Sequence, residues 1–227
     1  MSSISSSQYS TRACEMRGKN DFFPDHADLQ TYYDFAMELG APPNHQMCRY
    51  RGVRAQHLVF LGESGTYAWA RMDAMARQRW PNLPVAGKVA ADKTLLASLP
   101  ERIIYQFLTA GRFLGVAIDL HQPIDDTSGD FRADITLRCR DAAHFIEVVG
   151  CCARDRVVRN AVERRGLIRT ELREKFYKSQ GIQPTMIFLD HFADPEELKG
   201  LCAALIERVV HEADGREEDS RQRWTFQ

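Results

Sequence analysis

The sequence predicts an α/β fold preceded by a smaller, mainly helical N-terminal region. Short segments with the alternating or continuous apolar pattern of strands recur from about residue 116 to 190. Segments with helical periodicity stand before, between and after them. Hydrophobic residues make up 44% of the 227-residue chain, enough to bury the core of one ordinary domain with an appendage. Together these observations favour a globular α/β protein.

The first 90 residues show two compositions. Residues 1–20 form a Ser-rich arm, and residues 21–90 form an accessory region. Within this region, apolar spacing predicts a helix from Leu29 to Leu39, a strand at 57–61 and a helix at about 66–80. Basic and aromatic residues interleave here, which fits a nucleic-acid backbone as well as solvated helix faces with ordinary core aromatics.

The elements of residues 91–213 are marked more clearly. Ser98 to Glu101 forms a capping box with proline in the first turn, which predicts a helix start and by itself explains a glutamate at position 101. Strands are predicted at about 116–123, twice within 131–150, and at 183–190. The last helix begins near Pro195, and residues 214–227 form a charged tail.

Charge is balanced over the chain but not along it. Thirty basic and 31 acidic residues give a formal net charge of −1, so the overall composition does not indicate a nucleic-acid-binding protein. Arg154 to Lys178, however, contains nine basic and four acidic residues. This basic segment is predicted to form two helices, at about 154–165 and 170–180, with a break at Gly166.

Cysteine usage and hydropathy bear on the compartment. The six cysteines lack the spacing of a disulfide scaffold, which favours free thiols in a reducing environment. Residues 2–12 lack the apolar core of a secretory signal, and no apolar run approaches the roughly 20 residues of a membrane span. We therefore expect a cytoplasmic protein without a membrane segment.

Two acidic residues stand out in the segment 131–150. Asp134 lies on the polar face of an alternating strand, and Glu147 lies within a nearly continuous apolar strand. An ionised carboxylate in an apolar run is costly unless a positive or hydrogen-bonding partner meets it. Neighbouring strands lie roughly 4.8 Å apart, so both carboxylates can converge on one Mg²⁺. Alternatively, Asp134 is solvated and Glu147 pairs with an arginine of the basic segment.

The order of elements from Leu95 to His211 resembles the PD-(D/E)XK, or restriction-endonuclease-like, nuclease superfamily. The matching motifs are a helix opened by Ser98-x-x-Glu101, then FRAD at 131–134 and FIEVVG at 145–150 on consecutive strands. A basic helix with Arg169, Arg173 and Tyr177 follows. The resemblance implies an αβββαβα core with a central mixed sheet flanked by helices, and it leaves residues 1–90 unassigned.

The resemblance also implies a metal site and an activity. Asp134 and Glu147 would hold Mg²⁺ or Mn²⁺, the carbonyl of Val148 would be a further ligand, and Glu101 would approach the metal from the first helix. The metal would activate a water and stabilise negative charge as a phosphodiester bond is hydrolysed.

One position departs from the family pattern. Members usually carry a lysine two residues after the strand glutamate, and that position is Val149 here. Some members take the lysine from the following helix, which makes Lys175 the favoured substitute, ahead of Lys178 and Arg173. Lys175 and Lys178 share one helix face and Arg173 another, so both faces cannot reach the site. Arginine is a poor base, which favours Lys175; alternatively both lysines are surface charges.

The sequence therefore leads to an expected function with two rivals. We expect a Mg²⁺-dependent endonuclease for DNA, with residues 21–90 adding target recognition or subunit pairing and a homodimer expected from symmetry. One rival is a catalytically inactive nuclease-like fold that acts as a nucleic-acid-binding or assembly subunit; the other is an RNA-directed nuclease. The residues expected to contact phosphates are Arg154, Arg159, Arg164, Arg169, Arg173 and Lys178.

Overall fold

The computed structural model describes residues 24–53, 63–111, 115–124 and 131–224, without the side chains of 63–70 and 216–224. The predicted arm at 1–20 and the predicted strand at 57–61 lie outside the described residues. The chain divides into two compact units, Met1–Val85 and Ala86–Gln227.

The described part of the first unit is helical. It contains α1 (His26–Leu39), α2 (His45–Arg51) and α3 (Glu63–Arg79). Helix α1 begins after Asp25, whose side chain accepts a hydrogen bond from the Asp28 N–H, and it ends at Gly40 in the left-handed conformation. The two predicted helices of this region therefore form, each beginning about three residues earlier than predicted.

The described part of the second unit contains four strands and three α-helices. They are α4 (Leu99–Ala110), β1 (Ala117–Leu120), β2 (Ile135–Cys139), β3 (Ala142–Val149), α5 (Ala161–Ser179), β4 (Thr185–Phe188) and α6 (Pro195–Trp224). A short 3₁₀ helix, Leu189–Ala193, joins β4 to α6. The sheet order is β1-β2-β3-β4, with β3–β4 parallel and the other pairs antiparallel. The α/β class is confirmed, and the restriction-endonuclease-like core stays a prediction.

Strand β3 is covered on both faces, which explains its apolar sequence. Helix α6 packs against β2, β3 and α4. On the opposite face, Phe145 of β3 contacts the ring of Tyr177 from α5. A strand buried on both sides needs apolar residues at nearly every position.

The register of β2 and β3 positions the two acidic residues. Ile135 pairs with Ile146, so Asp134, one residue before β2, lies opposite Glu147. Opposed residues of an antiparallel pair direct their side chains to the same sheet face. The two carboxylates therefore share one face, although Asp134 precedes its strand instead of lying at the strand centre as predicted.

The basic segment forms one helix rather than two. Residues 154–160 are not helical, and α5 runs without interruption from Asn160, its N-cap, through Gly166. A Cβ atom at Gly166 would lie 2.5 Å from Cys151 Cβ, so this glycine provides close approach instead of a break. At the other end of the chain, α6 continues to Trp224, beyond the predicted start of the tail at residue 214. Within the described ranges, no helix is long and apolar enough to cross a lipid bilayer.

Candidate functional site

The two acidic residues meet on one arginine. Nη1 of Arg173, from α5, donates to Asp134 Oδ1 at 3.1 Å and also to Glu147 Oε2. Nη2 of Arg173 donates to the backbone carbonyl of Arg132 at 2.8 Å. The two carboxylates therefore converge, and an arginine of the basic segment is the partner of both; the metal stays a prediction, and Asp134 is bonded to this arginine instead of being solvated.

The remaining carboxylate oxygens are also hydrogen-bonded. Asp134 Oδ2 accepts the backbone N–H of Val148 at 2.8 Å, and Glu147 Oε1 accepts the hydroxyl of Tyr177 at 2.6 Å. Each carboxylate therefore has a partner on both oxygens, which fixes its orientation. Val148 contacts Asp134 through its N–H, whereas the resemblance assigns a ligand role to its carbonyl.

Two largely buried carboxylates face a single guanidinium in the site. The side chain of Glu147 is 2% exposed and that of Asp134 is 15% exposed, so both have lost most of their hydration. Burial raises the pKa of Glu147 and the charge of Asp134 raises it as well, while Arg173 and the Tyr177 hydroxyl lower it; together they bring the pKa to about 8. With both carboxylates ionised, two negative charges face one guanidinium, an imbalance that a proton on Glu147 or an additional cation relieves.

The partners of Glu147 are also perturbed. Burial raises the pKa of Tyr177, and the neighbouring Glu147 charge raises it further, so the phenol stays protonated and donates its hydrogen bond. Burial lowers the pKa of Arg173, but the Glu147 and Asp134 charges outweigh it, and the pKa is raised overall. Arg173 is therefore a permanent cation here.

Glu101 lies near the pair but is occupied by its own helix. Oε1 accepts the Ser98 hydroxyl at 2.7 Å, and Oε2 accepts the Ala97 N–H at 3.2 Å. Burial raises the pKa of Glu101, opposed by the Ser98 hydrogen bond, and the charge of Asp134 adds to the increase. Among the described residues, no group of three or more His, Cys, Asp or Glu side chains could hold a metal. The cap role of Glu101 is thus observed, and a ligand role for it is not supported.

His121 is a neighbour of the site that the sequence analysis missed. Its Nε2 lies 3.5 Å from Glu101 Oε2, and its backbone N–H donates to the Asp134 carbonyl at 3.3 Å. The residue follows β1 with a φ of 51°, a left-handed conformation that is uncommon for residues other than glycine. No sequence pattern marks it, because its position depends on the turn after β1.

Helix α5 directs Lys175 away from the carboxylates. Arg173 and Tyr177, one turn apart, both contact the pair, so the residue midway between them lies on the opposite side of the helix. Lys175 and Lys178 are both exposed. The prediction that Lys175 faces the site is therefore wrong, and the face carrying Arg173 lies there instead.

The other predicted phosphate-contacting residues lie at the surface. Arg154, Arg159, Arg164, Arg169 and Lys178 are all exposed. Nε of Arg154 already pairs with Asp190 Oδ2 at 2.5 Å. Arg164, Lys175 and Lys178 share one side of α5, its outer basic face, whereas Arg165 and Arg169 are exposed on the side that carries Arg173. Arg173 is set apart from this face by its bonds to the carboxylates.

The carboxylate oxygens of Asp134 and Glu147 are ligands of the kind that divalent cations bind. Mg²⁺ is commonly bound through one or two carboxylates, with waters and substrate phosphates completing its coordination. Asp134 Oδ1 and Glu147 Oε2 already share one positively charged nitrogen, so Nη1 of Arg173 marks the point where an ion would bind both. An ion and the guanidinium cannot occupy that point together.

Comparison with models of known protein families, with curated proteins and with solved structures finds no match to this chain. The nuclease assignment therefore depends on the sequence motifs and on the geometry of this site.

Proposed function

We propose that this protein is a Mg²⁺-dependent endonuclease that hydrolyses phosphodiester bonds in DNA. The observation that carries the proposal is the convergence of Asp134 Oδ1 and Glu147 Oε2 on a single cationic nitrogen. Two carboxylates from paired strand positions that share one counter-charge provide the protein ligands that Mg²⁺ needs. The excess negative charge of the pair favours replacement of a monovalent guanidinium by a divalent ion.

The residues around the pair have separate roles in this proposal. Asp134 and Glu147 would hold the ion, which supplies activation of water and stabilisation of the phosphoryl oxygens. Val148 orients Asp134 through its N–H, and Tyr177 orients Glu147 through its hydroxyl. Arg173 is a cation that never serves as a base, so its expected part is to neutralise charge on the phosphodiester.

The outer basic face of α5 would bind the DNA backbone. Arg164, Lys175 and Lys178 are exposed along it, and Arg165 and Arg169 would extend the contact on the side that carries Arg173. Contacts of this kind position a duplex without reading its sequence, and they weaken as salt is added. Cutting of both strands by a protein with one site per chain further favours a homodimer. The five described free cysteines accord with a cytoplasmic location.

Two observations favour a second candidate, a nucleic-acid-binding or assembly subunit without activity. Arg173 fills the shared position between the carboxylates, and Val149 stands where the related nucleases carry lysine. In this candidate the arginine is a permanent structural partner, and binding by α5 is the whole function.

Plasmid cleavage with Mg²⁺ or Mn²⁺ separates the two candidates. The wild type is expected to cut, whereas Asp134→Ala and Glu147→Ala are expected to lose at least about 100-fold in rate, as expected when metal-dependent charge stabilisation is lost. Asp119→Ala is the matched control, since Asp119 is an acidic residue of β1 that pairs with Arg138. If the wild type binds DNA but does not cut it in the presence of any divalent ion, the second candidate is established. Substituting RNA for the plasmid tests the alternative substrate.

A further inference from the structure

The position of Arg173 gives this residue a function that neither the motifs nor its basic charge assign. We propose that Arg173 is a built-in competitor of the metal: its guanidinium must leave the two carboxylates before a divalent ion binds, and a phosphodiester group draws it out. This inference rests on the proposed nuclease function and makes metal binding dependent on nucleic acid.

The guanidinium of Arg173 and a divalent ion at the carboxylates exclude each other. Mg²⁺ lies 2.0–2.1 Å from its oxygen ligands, whereas N–H donors lie about 2.7–3.2 Å from theirs. Both would use the same two oxygens, Asp134 Oδ1 and Glu147 Oε2. Two positive charges between the same oxygens also repel each other strongly in a largely buried site.

The Arg173 side chain is exposed enough to leave the two carboxylates. Its side chain is 31% exposed, while the side chain of Glu147 is 2% exposed. The guanidinium therefore stands at the boundary between the buried pair and solvent. A long arginine side chain can reach a new partner there without any movement of α5.

A phosphate of the nucleic acid is the partner that would attract the Arg173 guanidinium. Arg169 lies one helical turn before Arg173, on the same side of α5, and it is exposed. Residues four apart on a helix are neighbours, so a phosphate held by Arg169 would lie within reach of Arg173. The planar fork of arginine suits two oxygens of a phosphodiester as well as it suits carboxylates. Nucleic acid would thus replace the carboxylates as the partner of this residue.

Mn²⁺ affinity of the full-length protein without nucleic acid, measured by calorimetry, tests the competition. Arg173→Met is expected to bind Mn²⁺ at least about tenfold more tightly than the wild type, because a competing charge has been removed. Arg169→Met is the matched control: it removes the same charge from the same helix, and its affinity should stay within about twofold of the wild type. Circular dichroism establishes that each variant is folded.

A second variant covers the event that Arg173→Met does not fold. Arg173→Lys keeps the charge, but an ammonium cannot reproduce the fork that reaches both carboxylates and the Arg132 carbonyl. Its Mn²⁺ affinity is expected to be about threefold or more above that of the wild type, because the competition is weakened.

The outcomes distinguish this inference from the proposed function. Equal Mn²⁺ binding by the wild type and Arg173→Met would overturn the competition and leave the nuclease proposal standing. Absence of binding in both would overturn both ideas. Tight binding by Arg173→Met alone would support the competition and show that the wild type needs a partner to admit the ion.

A short DNA duplex with hydrolysis-resistant phosphorothioate linkages tests the role of the phosphate. Binding free energies are reciprocal, so a ligand that removes the arginine must raise metal affinity. The duplex is expected to raise wild-type Mn²⁺ affinity about tenfold more than it raises that of Arg173→Met. The same increase in both proteins would contradict the proposed exchange.

Discussion

Tyr177 shows how one side chain fixes a buried carboxylate. Its hydroxyl donates to Glu147 Oε1 at 2.6 Å, and its ring packs with Ile124 and Ala133 beneath α5. The phenol is 1% exposed, so water cannot replace the hydrogen bond if it is lost. Tyr177 therefore links the packing of the helix to the charge of the candidate site.

We predict that Tyr177→Phe destabilises the protein by about 1–3 kcal/mol, because it leaves a buried carboxylate oxygen without its donor. Urea unfolding measures the change. Tyr33→Phe is the control, since the Tyr33 hydroxyl accepts from Asn82 at an exposed site, and a loss below about 0.5 kcal/mol is expected there. Equal losses in the two variants would contradict the role given to Tyr177.

His144 gives the stability a predictable pH dependence. The residue is 7% exposed, and its Nε2 lies 2.9 Å from Thr185 Oγ1. Burial lowers the pKa of His144 and Arg208 lowers it further, while Glu212 raises it. The pKa in the folded state thus lies below the value of about 6.5 for an unfolded chain. As the pH falls, the unfolded state takes up the proton first, and stability present above pH 6.5 is progressively lost.

We therefore predict that the wild type loses more stability than His144→Gln between pH 7.5 and pH 5.5. Urea unfolding at the two pH values measures the difference. His211→Gln replaces an exposed histidine of α6 and is expected to lose as much stability as the wild type. If His144→Gln also behaves like the wild type, His144 is not the titrating group.

The starts of α4 and α6 and the glycine within α5 show what a sequence pattern can and cannot indicate about an element. The capping box at Ser98 and the proline after Asp194 are local signals, and the helices begin where these signals stand. Gly166 is an ordinary helix-breaking signal in sequence. Its actual reason is contact with Cys151, which is distant along the chain and cannot be read from local composition.

We predict that Gly166→Ala destabilises the protein by about 1–2 kcal/mol, because overpacking outweighs the gain in helix propensity. The added Cβ would lie 2.5 Å from Cys151 Cβ. Gly200→Ala in α6 is the matched control. Nothing lies within 4 Å of an added Cβ there, so a gain of about 0.5–1 kcal/mol is expected. Urea unfolding that shows both variants stabilised would contradict the close contact of α5 with Cys151.

Across the chain, the division into two units follows the hydrogen bonds near their boundary. The units separate between Val85 and Ala86, whereas the sequence suggested a boundary after residue 90. The Leu96 N–H donates to the Lys88 carbonyl, and the buried Arg102 donates to the Gly87 carbonyl at 2.9 Å. Residues 87 and 88 therefore belong with α4, a contact that composition alone does not reveal.

We predict that residues 86–227 fold cooperatively and are more stable than residues 91–227 by about 1–3 kcal/mol. The shorter fragment leaves Arg102, which is 4% exposed, without its carbonyl partner. Urea midpoints of the two fragments provide the comparison. Identical midpoints would indicate that residues 86–90 contribute nothing to the stability of this unit.

The sequence predicted the two carboxylates of the candidate site, but it did not predict that Arg173 is the cation beside them. The alternation around Asp134 and the apolar run around Glu147 indicate adjacent strands, and the observed register sets the two residues opposite each other. The choice between Lys175 and Arg173 depended on the rotation of α5 about its axis. That rotation is set by long-range packing of Tyr177 and Gly166. A preference based on chemistry alone selected the wrong face of the helix.

The most direct test of the shared cation position is a crystal of the protein bound to the phosphorothioate DNA duplex and soaked in Mn²⁺. We predict an anomalous peak between Asp134 Oδ1 and Glu147 Oε2, with Arg173 turned away from both and bonded to a phosphate of the duplex. A crystal saturated with Mn²⁺ that shows no peak there, and Arg173 still bonded to both carboxylates, would contradict this prediction.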